Sequence, residues 1–478
     1  MSEKKRSTLE KKKAKQLQES PISYLPNEIL TVIFSEANAE PVSISRTKHG
    51  KSKREDTDLP EDVGYLCMAV VISHVCGQWR DLSLGIPALW TTFYHVSYMG
   101  TTASSHSLEN MMEALVGHVD RWRSFILFHN SAFPFLDFVE QLKNVAAPNL
   151  ETFCVPAAVD RDNIPSSIPT DPTISPCIFK MGTPKLSLTG LDISGLQFYL
   201  PPLSSVASFY ATNSIGNNGI VIMPAFLSLF SNKMDNLTNL TLDGVFSREW
   251  HYDHATRPSL SMPNLIHLRI SNQTIYGNQC PHWKMPLLET LTFYKVDFRG
   301  IILFQSSIIE VPNLHSLYSI DCDMKARDSP VAQFTSSVRK LVFSDSRWRS
   351  NRVRTLELLN PKYARAEQSE GRWPMLEDVT VNLRNADQYG LEFFLKCFEE
   401  RPKSLPLTLR IDPTVLSVWR ALFASRLALL ENRCTIETLD DSIPYIPSPW
   451  PVTMPDGPFG SMLEKIDLPL IRRYPVVS

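Results

Sequence analysis

The 478-residue sequence predicts an α/β chain in which an N-terminal helical module is followed by a long stack of short strands. Three observations carry this. Two apolar stripes at helical spacing lie within residues 21–95, a strand-like apolar pattern then recurs about every 25 residues, and further helical stripes close the stack.

In the first stripe Ile29, Leu30, Ile33, Phe34 and Ala37 fall on one face of a 3.6-residue helix. Pro26 suits a first helical position, where its missing N–H costs nothing, and Glu28 sits near the positive helix start. Met68, Val71, Ile72, Val75, Trp79 and Leu82 make the second stripe; Gly85 and Pro87 stop it, and Leu89-Trp90 follows as an apolar hook. Between them, residues 41–63 hold five basic residues (Arg46, Lys48, Lys51, Lys53, Arg54), then five acidic ones (Glu55, Asp56, Asp58, Glu61, Asp62). This composition predicts a disordered insertion.

Leu108, Met111, Met112, Leu115 and Val119 predict a helix, Phe125 to Phe128 a buried strand, and residues 133–145 another helix. A repeating form, (Pro)-x-Leu-x-x-Leu-x-Leu, then begins at Pro148-Asn149-Leu150 and returns at Met262-Pro263-Asn264-Leu265 and Met285-Pro286-Leu287-Leu288. Other copies start at Leu237, Leu314, Val338 and Leu376, with weaker ones at Leu186 and Val206. Positions 237, 265, 288, 314 and 338 are separated by 28, 23, 26 and 24 residues. That is the period of a leucine-rich repeat, in which each unit adds one parallel strand to a curved solenoid. The longer step to 376 predicts an insertion around 345–370.

Asp243, Ser271, Ser344 and Asn382 stand where such repeats usually carry Asn or Cys, so the pattern predicts an irregular solenoid with no asparagine ladder. Leu391, Phe394, Leu395 and Phe398 share a helical face, Leu405 to Ile411 reads as a strand, and Val415 to Leu430 as one further helix. These would cap the stack. The predicted organisation is a basic tail over 1–20, with seven basic residues against three acidic, and a helical module over 21–95. A repeat solenoid with helical caps over 107–438 and a Pro-rich tail over 439–478 complete it.

The segments Leu25-Pro26-Asn27-Glu28-Ile29-Leu30-Thr31-Val32-Ile33-Phe34, Val75-Cys76-Gly77-Gln78-Trp79-Arg80-Asp81 and Pro87-Ala88-Leu89-Trp90 together resemble the F-box, in the form seen in fungal F-box proteins with irregular leucine-rich repeats. Here the spacer is long, and Gly77 and Gln78 stand where a basic pair is often found. The resemblance implies a substrate-recognition subunit of an SCF-type cullin-RING ubiquitin ligase. In it Leu25, Pro26, Ile29, Leu30, Ile33, Phe34, Val75, Cys76 and Trp79 would pack against the Skp-type adaptor, and the repeats would hold the protein to be ubiquitylated. Strand alternation places His267, Arg269, Thr292, Tyr294, Lys340, Thr380 and Asn382 on the exposed, concave face as target contacts. The alternative is a non-enzymatic leucine-rich-repeat scaffold whose N-terminal helices only cap the solenoid.

Composition narrows the classes further. A chain 43% hydrophobic and 21% charged predicts a folded protein, and a net charge of −2 gives no global pull toward nucleic acid or membrane. Eight cysteines without a C-x-x-C pair, and a charged N-terminus with no secretory signal, predict a cytoplasmic or nuclear location. There is no G-x-S-x-G elbow, H-E-x-x-H pair or Gly-rich dinucleotide loop, and His251, His254, Cys280 and His282 lack a second pair at ligand spacing. No catalytic residue, metal or cofactor is predicted.

Overall fold

The computed structural model describes residues 25–38, 42–45, 63–66, 72, 75–86, 89, 91–97, 115–129, 135–155, 176–192, 199–212, 233–244, 259–276, 282–299, 309–324, 335–344, 373–382, 388–399 and 407–439. The predicted tails, and most of the predicted insertions at 41–63 and 345–370, lie outside these residues.

Helix α1 (Asn27–Asn38) leads into strands β1 (Val42–Ser45) and β2 (Val63–Leu66), then helix α2 (Gly77–Gly85) and β3 (Thr92–Ser97). β1 pairs antiparallel with β2, and β2 meets β3 antiparallel where Tyr65 faces Val96. From β3 the sheet turns parallel through β4 (Ser124–His129), β5 (Thr152–Val155), β6 (Leu188–Asp192), β7 (Ser208–Thr212) and β8 (Asn239–Asp243), with helix α3 (Phe135–Leu142) between β4 and β5. Three repeats then carry a second short strand each: β9 (Ser259–Ser261), β11 (His282–Lys284) and β13 (Ile309–Glu310) form a separate parallel sheet. The main sheet continues through β10 (His267–Tyr276), β12 (Thr290–Arg299), β14 (Ser316–Ile320), β15 (Asp323–Met324), β16 (Lys340–Ser344) and β17 (Asp378–Asn382). Helix α4 (Gln388–Glu399), β18 (Thr408–Ile411), helices α5 (Pro413–Leu422) and α6 (Ala424–Glu431) and β19 (Thr435–Thr438) end the described chain. Among the described residues the result is one sixteen-stranded sheet, parallel from β3 to β19, with the small strand β15 pairing, also parallel, beside the end of β12 and off the main path. The fold is α/β on a long parallel sheet, compatible with a curved leucine-rich-repeat solenoid.

One short turn precedes strand after strand. The amide of the apolar residue two places before the strand donates to the carbonyl three residues back: Leu150 to Ala147 (3.2 Å), Leu186 to Thr183 (3.1 Å), Leu265 to Met262 (3.3 Å), Leu288 to Met285 (3.1 Å), Leu314 to Val311 (3.2 Å) and Leu376 to Trp373 (3.3 Å). The second residue of each of these turns is proline (Pro148, Pro184, Pro263, Pro286, Pro312, Pro374), whose fixed φ suits that position. Past the turn, one carbonyl of each repeat accepts from two successive amides of the next. Thr238 O accepts from Ile266 and His267, Ile266 O from Glu289 and Thr290, and Glu289 O from His315 and Ser316.

An asparagine ladder exists after all, in front of the strands and not behind them. The side-chain amides of Asn149, Asn236, Asn264 and Asn313, each third in its turn, donate to the carbonyls of Asp120, Ser204, Asp235 and Pro286 in the preceding turn (2.9, 2.8, 2.6 and 2.7 Å). The expected absence of a ladder concerned the position after the third apolar residue, where Asp243, Ser271, Ser344 and Asn382 stand.

The core follows the register. Phe93, Phe125 and Phe153 are aligned on β3, β4 and β5 and stack at 4.9 and 5.6 Å between ring centroids. Leu240, Leu268, Leu291, Leu317 and Leu341 continue the same row through β16, all buried. Thr189 interrupts it between Phe153 and Phe209, fully buried with its hydroxyl unpaired.

Four expectations need correction. The span 41–63 is not wholly disordered, because alternating Val42-Ser43-Ile44-Ser45 pairs as β1 with β2, which begins at Val63. The second helical stripe is not one helix: Val75 lies in a turn, Cys76 is extended (φ −159°), and α2 starts only at Gly77. The parallel sheet begins before residue 107, since β3 already pairs parallel with β4 over six residues. The helix expected from Val415 to Leu430 breaks at Phe423 into α5 and α6, bent by 117°. Asp412 caps α5 by accepting from the Thr414 amide at 2.9 Å.

Two substitutions test this scheme by chemical denaturation. Asn264→Ala removes one rung of the turn ladder and is expected to cost roughly 0.5–1 kcal/mol. Thr189→Val keeps the shape while removing an unpaired buried hydroxyl, and is expected to raise stability by about 1 kcal/mol.

Candidate functional site

Two surfaces offer themselves for binding. The first is the α1–α2 pair. α1 starts with the Leu30 amide donating to Pro26 O at 3.0 Å, and Glu28 stands in its first turn. Leu30 and Phe34, one helical turn apart, point inward and are buried. The Phe34 ring meets Trp79 of α2 at 4.9 Å between centroids, tilted by 59°. The opposite side of α1, where polar residues would normally stand, exposes Ile29 (47%), Val32 (59%) and Ile33 (40%), and Val75 (56%) is exposed just ahead of α2.

The nine residues assigned by the F-box resemblance therefore separate. Leu30 and Phe34 are interior, Leu25 and Trp79 are half-buried against the core, and Pro26, Ile29, Ile33, Val75 and Cys76 are exposed. Leu30 and Phe34 cannot touch a partner in this conformation, which corrects their assignment as contacts. Val32 was missed, although it stands three residues after Ile29 and so shares its face. Leu30, Phe34 and Ile72 also belong to the same hydrophobic cluster as Phe93 and Phe125 of the sheet, so the pair shares the sheet's core.

The second surface is the face of the parallel sheet turned away from the core. In register along it run Tyr210, Thr241, Arg269, Thr292, Tyr318, Val342, Thr380 and Arg410. Long side chains (Tyr210, Arg269, Tyr318 and Arg410) flank the short ones here, on strands about 4.8 Å apart. The long ones overshadow the short ones: Thr241, Thr292 and Thr380 are buried although their side chains leave the core face. This removes Thr292 and Thr380 from the predicted target contacts. His267 is exposed, and Arg269, Tyr294, Lys340 and Asn382 are half-buried.

Cations and rings interleave over β10 to β16. The Arg269 guanidinium carbon lies 5.1 Å from the Tyr294 ring centroid, Lys295 Nζ lies 4.7 Å from the same centroid, and Lys340 Nζ lies 6.0 Å from that of Tyr318. Lys295 is at a left-handed corner (φ 52°), as are Gly244 (φ 64°) and Asp321 (φ 53°) at the same place in nearby repeats. The amides of Gly244 and Asp321 donate there to Ser271 O (2.9 Å) and Ser344 O (2.8 Å) of the following repeat. Lys295 and Tyr318 escaped the sequence reading; strand alternation alone would have found Tyr318.

Carboxylates on this face are used internally. Tyr210 Oη donates to the buried Asp243 Oδ2 at 2.9 Å, and burial first, then Asp243, pushes the phenol well above its ordinary range. Arg410 holds Asp378 on one side and Glu437 at 3.0 Å on the other. Among the described residues no three His, Cys, Asp or Glu side chains stand where they could hold a metal ion.

No protein-family model and no curated protein matches the chain. A solved structure described as a crystal structure of a TLR13–ssRNA13 complex is similar at a TM-score of 0.28 and 16% identity, over 55% of this chain and 29% of that one. The chain thus spans under a third of that protein's length, and a likeness of this size carries no argument about binding.

The cysteines provide a test of this placement. Cys76 is exposed, while Cys154 and Cys322 are buried and burial raises both thiols, Cys322 from 9.0 to about 12. Alkylation mapped by mass spectrometry is expected to label Cys76 in the native protein and Cys154 and Cys322 only after unfolding. The native thiols keep their protons where the unfolded ones ionise, so stability is complete below pH 9.0 and falls as pH rises toward 12. Denaturation midpoints between about pH 8 and pH 11 should decline, less steeply in Cys322→Ala.

Proposed function

We propose that this chain is a substrate receptor of a ubiquitin ligase of the SCF type. The exposed side of α1 and the turn before α2 would dock a Skp-type adaptor of a cullin-RING complex, and the sheet face would hold the protein to be ubiquitylated. The observation that carries this reading is the apolar set Ile29, Val32, Ile33 and Val75 standing exposed on a helical pair whose other side is already packed. It coincides with the stretch whose sequence resembles the F-box. The chain would supply proximity and no chemistry of its own, raising the effective concentration of a target beside the ligase. On this reading it works in the cytoplasm or nucleus, without cofactor, nucleic acid or membrane.

A second reading, a repeat scaffold with the helices as a cap, has its own observation: Leu30, Phe34 and Ile72 lie in one cluster with Phe93 and Phe125. Under the receptor reading, the inner side of the pair closes the solenoid while its outer side docks.

Co-precipitation with a Skp-type adaptor separates the two. Ile29→Asp with Ile33→Asp alters only exposed positions, and should leave the circular dichroism spectrum unchanged while lowering adaptor affinity by ~100-fold or more. Retained binding in that variant, or no binding by the native protein, would leave the scaffold reading.

A further inference from the structure

We infer that the open edge of β19, at the C-terminal end of the sheet, is a docking site for an extended segment, and that its occupant is this chain's own Ile443-Pro444-Tyr445-Ile446, laid antiparallel on Ile436 and Thr438. The inference goes beyond the receptor and scaffold readings and rests on neither.

The edge is defined by which backbone groups are already used. Among the described strands β19 pairs with β18 alone. The Thr435 amide donates to Leu407 O at 2.9 Å and the Leu439 amide to Ile411 O at 2.8 Å, so every second residue of β19 turns its N–H and C=O toward β18. Ile436 and Thr438 therefore aim theirs outward, where no described strand receives them. Two core rows end here as well. Leu341, Val379 and Leu409 are buried in one register row, but Ile436, next in that row, is only half-buried because it has a neighbouring strand on one side alone. In the adjoining row Val381 and Ile411 are buried and Thr438 is exposed. Leu422 (53%) and Leu429 (63%), on the helices that lead into β19, are exposed too. Outward backbone groups beside an uncovered apolar row make a site for one more strand.

The sequence that follows β19 fits this edge in one register. Leu439 to Ser442, with Asp440 and Asp441 at the centre, supply a loop of common hairpin length and composition. Ile443 then falls opposite Thr438, Pro444 opposite Glu437 and Tyr445 opposite Ile436. Residues directly opposite share a face, so Tyr445 would lie over Ile436 and Ile443 would extend the row of Thr438, closing both core rows. Pro444 has no N–H, but its register position faces away from β19, where none is needed. Pro447 ends the pairing opposite Cys434, whose amide already donates to Leu430 O at 3.0 Å. A shift of one residue would put Pro444 on the bonding side and turn Tyr445 to the outer face. A second copy is a poorer occupant. Pairing β19 with itself through Ile436 and Thr438 sets Glu437 opposite Glu437, and like charges directly opposite are destabilising.

Hydrogen exchange of the full-length chain, resolved to single amides by mass spectrometry, tests this. The Ile436 and Thr438 amides are expected to exchange at least about tenfold more slowly in the native protein than in Tyr445→Pro, which removes a donor at a bonding position. Pro444→Ala, at the non-bonding position, should keep the native protection. The amides of β16 and β17 should exchange alike in all three proteins, which separates the edge from global unfolding. Free-chain exchange of Ile436 and Thr438 in the native protein, protection that persists in Tyr445→Pro, or protection that fades on dilution, as a second copy would give, would each overturn the inference.

Discussion

The four-residue turn in front of strand after strand along the main path from β5 to β17 is what the rest of the molecule depends on. It reverses the chain with one amide-to-carbonyl bond, delivers a leucine or valine into the core, and aligns the next amides on the carbonyl of the previous repeat. A stacked strand has no other way to fix its register, since a one-residue slip would turn every leucine to the outer face. Proline at the second position lowers the entropy lost in forming the turn, and asparagine at the third ties it to the turn before. With the turns in place, phenyl rings at one end and leucines at the other stack along the same row.

That arrangement explains what the sequence revealed and what it hid. Turn, leucine and strand are local, so copies such as Met262-Pro263-Asn264-Leu265 were legible at their true positions and predicted β5, β8, β10, β12, β14, β16 and β17, while the short extra strands β9, β11, β13 and β15 were not foreseen. A similar turn stands before β3, with Leu89 donating to Ile86 O at 3.1 Å across Pro87, but Pro87 to Trp90 was read as the end of the helical module, so the start of the sheet was set too late. The break at Val75-Cys76 was hidden because an apolar stripe at helical spacing continues through a turn as readily as through a helix. On the outer face, alternation identified Arg269, Tyr294 and Lys340 correctly as side chains that leave the core. Burial of Thr292 and Thr380 arises from long neighbours on adjacent strands, a relation between residues far apart in sequence.

The N-terminal pair joins the two halves of the functional account. Its inner residues Leu30 and Phe34 continue the core that Phe93 begins, and its strands β1 and β2 extend the sheet beyond β3. A partner held on Ile29, Val32, Ile33 and Val75 would therefore rest on a pair whose inner side shares the core of the sheet. For a receptor that acts by proximity alone, the placement of that pair decides which part of a bound target faces the ligase.

The central claim is that the helical pair and the sheet form one folding unit. Native-state hydrogen exchange followed by mass spectrometry tests it most directly, because amides that open together share one opening free energy. The amides of Leu30 to Phe34 are expected to exchange with the same denaturant dependence as those of β4 and β5. Exchange of α1 and α2 through a separate, lower-energy opening, with β3 to β5 still protected, would contradict the claim and restore a detachable N-terminal module.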